Sequence, residues 1–139
     1  MGLGRVAARL AKQVERALTD VHLSLAQYRV LANLSDGPSA ASELAERLIV
    51  SRPSVTAIAD GLVERGLVER RPEPSDRRTV MHVLTDHGLE VLASADEAIE
   101  RRLHALAEDL TESERRKAFA GLHAWRKALD ALRSKVIAK

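Results

Sequence analysis

The chain has 139 residues, a length that suits one domain of ordinary size, and its 22 Lys and Arg against 20 Asp and Glu leave a net charge of +2. Cysteine is absent, which excludes a disulfide scaffold, a thiol redox sensor, a thiolate zinc site and a cysteine nucleophile. No apolar run approaches the roughly 20 residues of a membrane span, and the N-terminal MGLGRVAARLAKQVERAL lacks a signal peptide's unbroken apolar stretch. A cytoplasmic protein without membrane partners is expected.

Leu3, Val6, Leu10, Val14 and Leu18 recur at spacings of three or four, which predicts a first amphipathic helix. Ser24 opens a capping box with Gln27, starting a second helix through Tyr28, Leu31 and Leu34 that Asp36-Gly37-Pro38 stops. A third helix is expected from about Ser39 to Leu48, burying Leu44, Ala45 and Leu48. A few residues later Ser51 can cap a fourth helix, with Pro53 tolerated in its first turn. Val55, Ile58, Ala59, Leu62 and Val63 form that helix's inward stripe, and Gly66 ends it.

Beyond Gly66 the period changes. Leu67 to Arg71 and Arg77 to Leu84 read as two strands of a hairpin, joined by a projecting polar loop from Pro72 to Asp76. Thr85 then caps a long helix carrying Leu89, Leu92, Ile99, Leu103 and Leu106. Thr111 and Glu114 form a second capping box, opening a last helix with a seam of Phe119, Leu122, Trp125, Leu129, Leu132 and Val136. No repeat or flexible linker interrupts the chain.

Two short helices with a tight turn, followed by a basic-tipped hairpin, describe a winged helix-turn-helix, whose second helix enters the DNA major groove. Arg52 can fork onto guanine, and the hydroxyls of Ser54 and Thr56 can reach phosphates or bases. Ala57 or the Thr56 methyl can meet a thymine methyl. Arg70 and Arg71 point to opposite strand faces, so at most one should approach phosphate.

The segment SELAERLIVSRPSVTAIADGLVERGLVERRPEPSDRRTVMHVLTDHG resembles the DNA-binding lobe of the MarR family of bacterial transcriptional regulators. The resemblance rests on S-E-L-A at Ser42–Ala45, S-V-T at Ser54–Thr56, E-R-G-L-V at Glu64–Val68, D-R-R at Asp76–Arg78 and L-T at Leu84–Thr85. The upstream S-L-A-Q-Y-R-V-L at Ser24–Leu31 resembles the family's second helix.

This resemblance implies a mainly α (α+β) fold, with a winged-helix lobe over 23–85 and a helical dimerisation lobe from 1–22 and 86–139. It further implies a homodimer on pseudo-palindromic double-stranded DNA, acting as a ligand-responsive repressor, with Arg77 and Arg78 at the wing tip. Asp76 matches a wing aspartate that organises the loop by pairing with a nearby Arg. Two departures bear on specificity. Ala57 stands where the family often has Arg, and Gly61 stands inside the recognition helix where a longer side chain is common.

The candidate DNA-reading set is thus Ser51, Arg52, Ser54, Val55, Thr56 and Ala57 on the helix, with Arg70, Asp76, Arg77 and Arg78 on the wing. The dimerisation set is Leu3, Val6, Leu10, Phe119, Leu122, Trp125, Leu129 and Leu132. Charge placement supports the reading independently. From Arg47 to Arg78 there are seven bases against five acids, so the whole excess of +2 falls in this window.

Other chemistries have weaker support. His82 and His87 could meet near Asp86, but no His pair has the i,i+4 spacing of a helical metal site, and neither metal nor cofactor is expected. No nucleophile elbow or glycine-rich phosphate loop is present, so an enzyme is not expected. A winged-helix protein-interaction module is the alternative from another class. A small-molecule effector fits the resemblance, but nothing in the residues identifies it.

Overall fold

The computed structural model describes residues 2–137, with side chains up to Lys135. The described elements are α1 (Leu3–Leu18), α2 (Leu25–Leu34), β1 (Ser39–Ala40), α3 (Ala41–Leu48), α4 (Arg52–Glu64), β2 (Val68–Glu73), β3 (Asp76–Leu84), α5 (Asp86–Leu106) and α6 (Glu112–Ile137). The mainly helical winged fold expected from the sequence is the fold observed.

The helix starts follow local chemistry. Gln27 N–H donates to Ser24 Oγ at 3.0 Å while Ser24 N–H donates to Gln27 Oε1 at 2.9 Å, so the first capping box closes reciprocally. The box at Thr111 and Glu114 closes in the same way, at 2.9 and 3.2 Å. Helix α4 ends in a left-handed Gly66 at φ 72°, with Gly66 N–H on Val63 O and Leu67 N–H on Leu62 O. These are the two bonds of a Schellman motif, and the buried Leu67 supplies its apolar contact.

Two boundaries differ from the sequence reading. Ser39–Ala40 is not helical but a two-residue strand pairing with β3, giving an antiparallel sheet of order β1-β3-β2. Pairing to the edge of the hairpin is a tertiary event with no local signature. The hairpin strands also run further than expected, to Glu73 and from Asp76, so only Pro74 and Ser75 lie between them. Pro72 is accommodated because β2 is an edge strand and a bulge follows it.

One core joins α1 to α5. Leu18 of α1 and Leu92 and Ala95 of α5 are buried in the same cluster as Leu31, Leu44, Val55 and Leu62. Leu89 and Leu106 are exposed on α5.

The wing joins α5 through a tight corner. Thr85 N–H donates to Leu67 O at 3.1 Å, Thr85 Oγ1 donates to Gly66 O at 2.7 Å, and the same oxygen accepts Gly88 N–H at 2.9 Å. Between α2 and α5, Tyr28 Oη donates to Asp96 Oδ1 at 2.6 Å. Burial, aided by this bond and by the Asp96 charge, raises the phenol's pKa and keeps it protonated.

Candidate nucleic-acid interface

Helix α4 exposes its N-terminal half because its apolar residues face the other way. Ser51, Arg52, Ser54, Thr56 and Ala57 are all exposed. Ser51 Oγ accepts Ser54 N–H at 3.2 Å and lies 2.7 Å from Ser54 Oγ, while Thr56 Oγ1 donates to Arg52 O at 3.1 Å. Ser51 therefore acts first as the helix cap. Val55 is a correction: it is fully buried, at 0% exposure, and stacks in line with Ala59 and Leu62 in the core. The helical period places it inward, so it underlies the exposed face of α4 without forming part of it.

The seven arginines of the basic window divide sharply. Arg47 bonds Ser39 Oγ at 3.1 Å and pairs with Glu43 at 3.7 Å. Arg65 reaches His22 O at 2.6 Å, and Arg71 pairs with Glu69 at 2.8 Å. Arg70, expected as a wing contact, pairs instead with Asp60 of α4 and donates Nε–H to His82 at 3.4 Å. The guanidinium groups of Arg52, Arg77 and Arg78 make no ion pair with the described residues, and all three are exposed. An unpaired, solvated guanidinium is free to bind phosphate or a base edge without breaking an existing contact.

Asp76 also corrects an expectation. Its carboxylate accepts Arg78 N–H and the Thr79 hydroxyl, each at 3.0 Å, so it organises the wing through a backbone amide and a hydroxyl. The effect leaves the Arg77 and Arg78 side chains unpaired. The sequence reading missed Asp60, Ser39 and Arg47 as supports of the site. The hairpin register, Arg70 opposite His82, carries the signal that could have found the Arg70 contact.

His82 is buried in the sheet, whereas His87 is exposed on α5 with Glu90 3.8 Å away. They do not form a joint site, and no cluster of three or more metal-binding side chains occurs among the described residues.

Comparison with known proteins bears directly on this geometry. The model of the MarR family matches residues 23–79. The transcriptional repressor IacR of Pseudomonas putida is 30% identical over 113 residues, spanning 81% of this chain and 68% of that protein. The chain belongs to the MarR family. The multiple antibiotic resistance protein MarR of Escherichia coli is 30% identical over 118 residues, 81% of this chain and 82% of its own length. Among solved structures, the transcriptional repressor CouR bound to a 23-mer DNA duplex superposes with a TM-score of 0.73 at 32% identity, covering 90% of this chain and 89% of that one. As a MarR-family member the chain is a DNA-binding transcriptional regulator, and the alternative of a protein-interaction module loses its ground.

The residues expected at a dimer seam lie on α1 and α6. Leu3, Val6, Leu122, Trp125, Leu129 and Leu132 are exposed, Trp125 to 66%, while Leu10 and Phe119 are half-buried. Phe119 stacks on His104 with ring centroids 4.5 Å apart. Leu10, Leu103, Leu106, Phe119 and Trp125 are among the residues lining an apolar cleft of about 930 Å³ between α1, α5 and α6. The Val136 side chain lies outside the described residues. No described helix is long and apolar enough to cross a membrane.

Proposed function

We propose that the chain is a cytoplasmic, homodimeric repressor that binds pseudo-palindromic operator DNA and is released by a small-molecule effector. Residues 23–85 read the DNA, and 1–22 with 86–139 pair the subunits. The observation carrying the reading is the set of three unpaired arginines, Arg52 on the helix start and Arg77 and Arg78 on the wing. Arg52, Ser54, Thr56 and Ala57 read the major groove, and the wing arginines bind phosphate or the minor groove.

The dimer is supported by the apolar stripe on α6 and the N-terminal end of α1. Leu3, Trp125 and Leu129 are 83%, 66% and 60% exposed, and several large apolar side chains left in water on the two helices mark an interaction surface. A second copy seated there spaces two α4 helices for successive grooves about one helical turn apart. Control follows if an effector alters that spacing, since a small tilt of either lobe breaks the match. No step of this function is catalytic.

The test is binding to the DNA upstream of its own gene across a salt series. Affinity should fall steeply as salt rises, with a slope of about −0.9 for each phosphate neutralised. A flat response, or no preference over random duplex, overturns the reading.

A further inference from the structure

His82 occupies the central strand of the wing sheet, in register with Ser39 of β1 on one side and Arg70 of β2 on the other. It is 4% exposed. Its Nδ1 lies 3.2 Å from Ser39 O, which can only accept, so the network assigns the ring proton to Nδ1. Nε2 is then a bare lone pair, and Arg70 donates its Nε–H to it at 3.4 Å. The far end of the same guanidinium pairs with Asp60, within one turn along α4 of Ala57 at the end of the exposed half. A single arginine therefore spans the wing and the recognition helix, and a neutral imidazole holds its near end.

The charged groups facing this histidine are few. From β2 there is Arg70 and from α4 there is Asp60, already paired to each other. From α3, Arg47 stands behind Ser39, with its Nη1 3.1 Å from Ser39 Oγ, and its charge is paired with Glu43. Among the described residues no carboxylate bonds the ring. Burial is the main reason its pKa lies below the ordinary 6.5, with the Arg70 charge acting in the same direction. The Ser39 bond and Asp60 oppose that shift without reversing it. Near neutral pH the ring is therefore neutral and able to accept.

We propose that His82 is a positioning residue for DNA reading: as a neutral acceptor it holds Arg70 against Asp60, and a proton on Nε2 releases that tie and frees the wing from α4. This rests on the DNA-binding reading above. A proton added at Nε2 turns the acceptor into a donor and sets an imidazolium against a guanidinium, so Arg70 must swing away. The wing arginines then lose their fixed relation to the recognition helix. Sequence preference suffers more than general affinity for phosphate, which the new positive charge favours.

The experiment measures the full chain by fluorescence anisotropy, on a duplex selected by the wild type from a random pool and on its scrambled counterpart. The titration runs from about pH 8 to about pH 4, reaching below the ordinary histidine range because burial lowers this ring's pKa. Wild-type preference for the selected duplex should fall by about tenfold or more as the tie to a charged group is lost. His82→Gln, whose amide accepts but does not titrate, should keep the neutral-pH preference and lose the acid step. His82→Leu should lack the preference throughout.

A readout without DNA separates the two ideas. Amide-exchange protection of β2 and β3 should show the same acid step in the wild type and none in His82→Gln. A protection profile without a His82-dependent step overturns the proposal, as does an unchanged acid step in His82→Gln. If the wing step is present but no duplex is preferred at neutral pH, the DNA role assigned to His82 falls together with the DNA reading.

Discussion

Gly88, in the first turn of α5, lies so close to the main chain of Leu67 that a β-carbon on it would stand 2.1 Å from the Leu67 carbonyl oxygen. That oxygen also accepts the Thr85 amide, so it cannot retreat without loosening the corner between wing and α5. Gly88→Ala is therefore expected to destabilise the protein by about 1–3 kcal/mol through overpacking. Thermal denaturation followed by circular dichroism measures it, and an unchanged Tm would show that the corner yields freely.

Gly61 is the opposite case. It lies inside α4, and a β-carbon there would meet only Gln27 Nε2 at 3.7 Å, an ordinary contact. Gly61→Ala should stabilise the protein by about 0.5–1 kcal/mol, the helix-interior cost of glycine. Urea denaturation should show a higher midpoint with the same slope.

Ile49, between α3 and α4, has a left-handed backbone at φ 56° while its side chain is 75% exposed. A β-branched residue is strained there and gains little burial in return. Ile49→Gly should stabilise the fold by about 0.5–1 kcal/mol, once glycine's own entropic cost is set against the relieved strain. Loss of stability in a melt would mean that the isoleucine packs in a way its exposure conceals.

Arg78 separates binding from folding. Its amide is held by Asp76, but its guanidinium has no ion-pair partner among the described residues. Arg78→Ala should weaken binding to every duplex and reduce the salt slope by about 1, the signature of a lost phosphate contact. Dimer and Tm should be unchanged. A large fall in Tm would make the side chain structural.

Trp125 reports on assembly, being the single tryptophan of the chain and 66% exposed in the isolated subunit. Its emission should move to longer wavelength on dilution as a dimer separates, and Leu129→Glu should give the dilute spectrum at any concentration. Sedimentation of both proteins decides the matter: a monomeric wild type at high concentration would remove the proposed interface.

Much of this molecule is written locally in its sequence. Ser24 with Gln27, Thr111 with Glu114, and Ser51 ahead of Pro53 mark helix starts through contacts three residues apart, which a linear reading can see. Ser39–Ala40 is invisible in that way, because a two-residue strand exists only once β3 is beside it. Val55 shows how a motif can mislead: S-V-T read as a block counts three contacts, while the 3.6-residue period turns the middle one into the core. Arg70 could be placed on a strand but not on a face, and its partner Asp60 lies on another element. The charge window counted seven bases, yet only their ion pairs and hydrogen bonds distinguish the four held by other groups from the three that stay free.

Thr85 gives its hydroxyl hydrogen to Gly66 O and its lone pair to Gly88 N–H. Most helix caps need only an acceptor, so aspartate ordinarily serves as well as threonine. Here an ionised carboxylate would keep the cap and face the Gly66 carbonyl with no proton to offer. The position is thus narrower than a capping rule suggests. Serine can substitute for threonine here, and aspartate cannot do so without giving up the bond that ties the end of α4 to the start of α5.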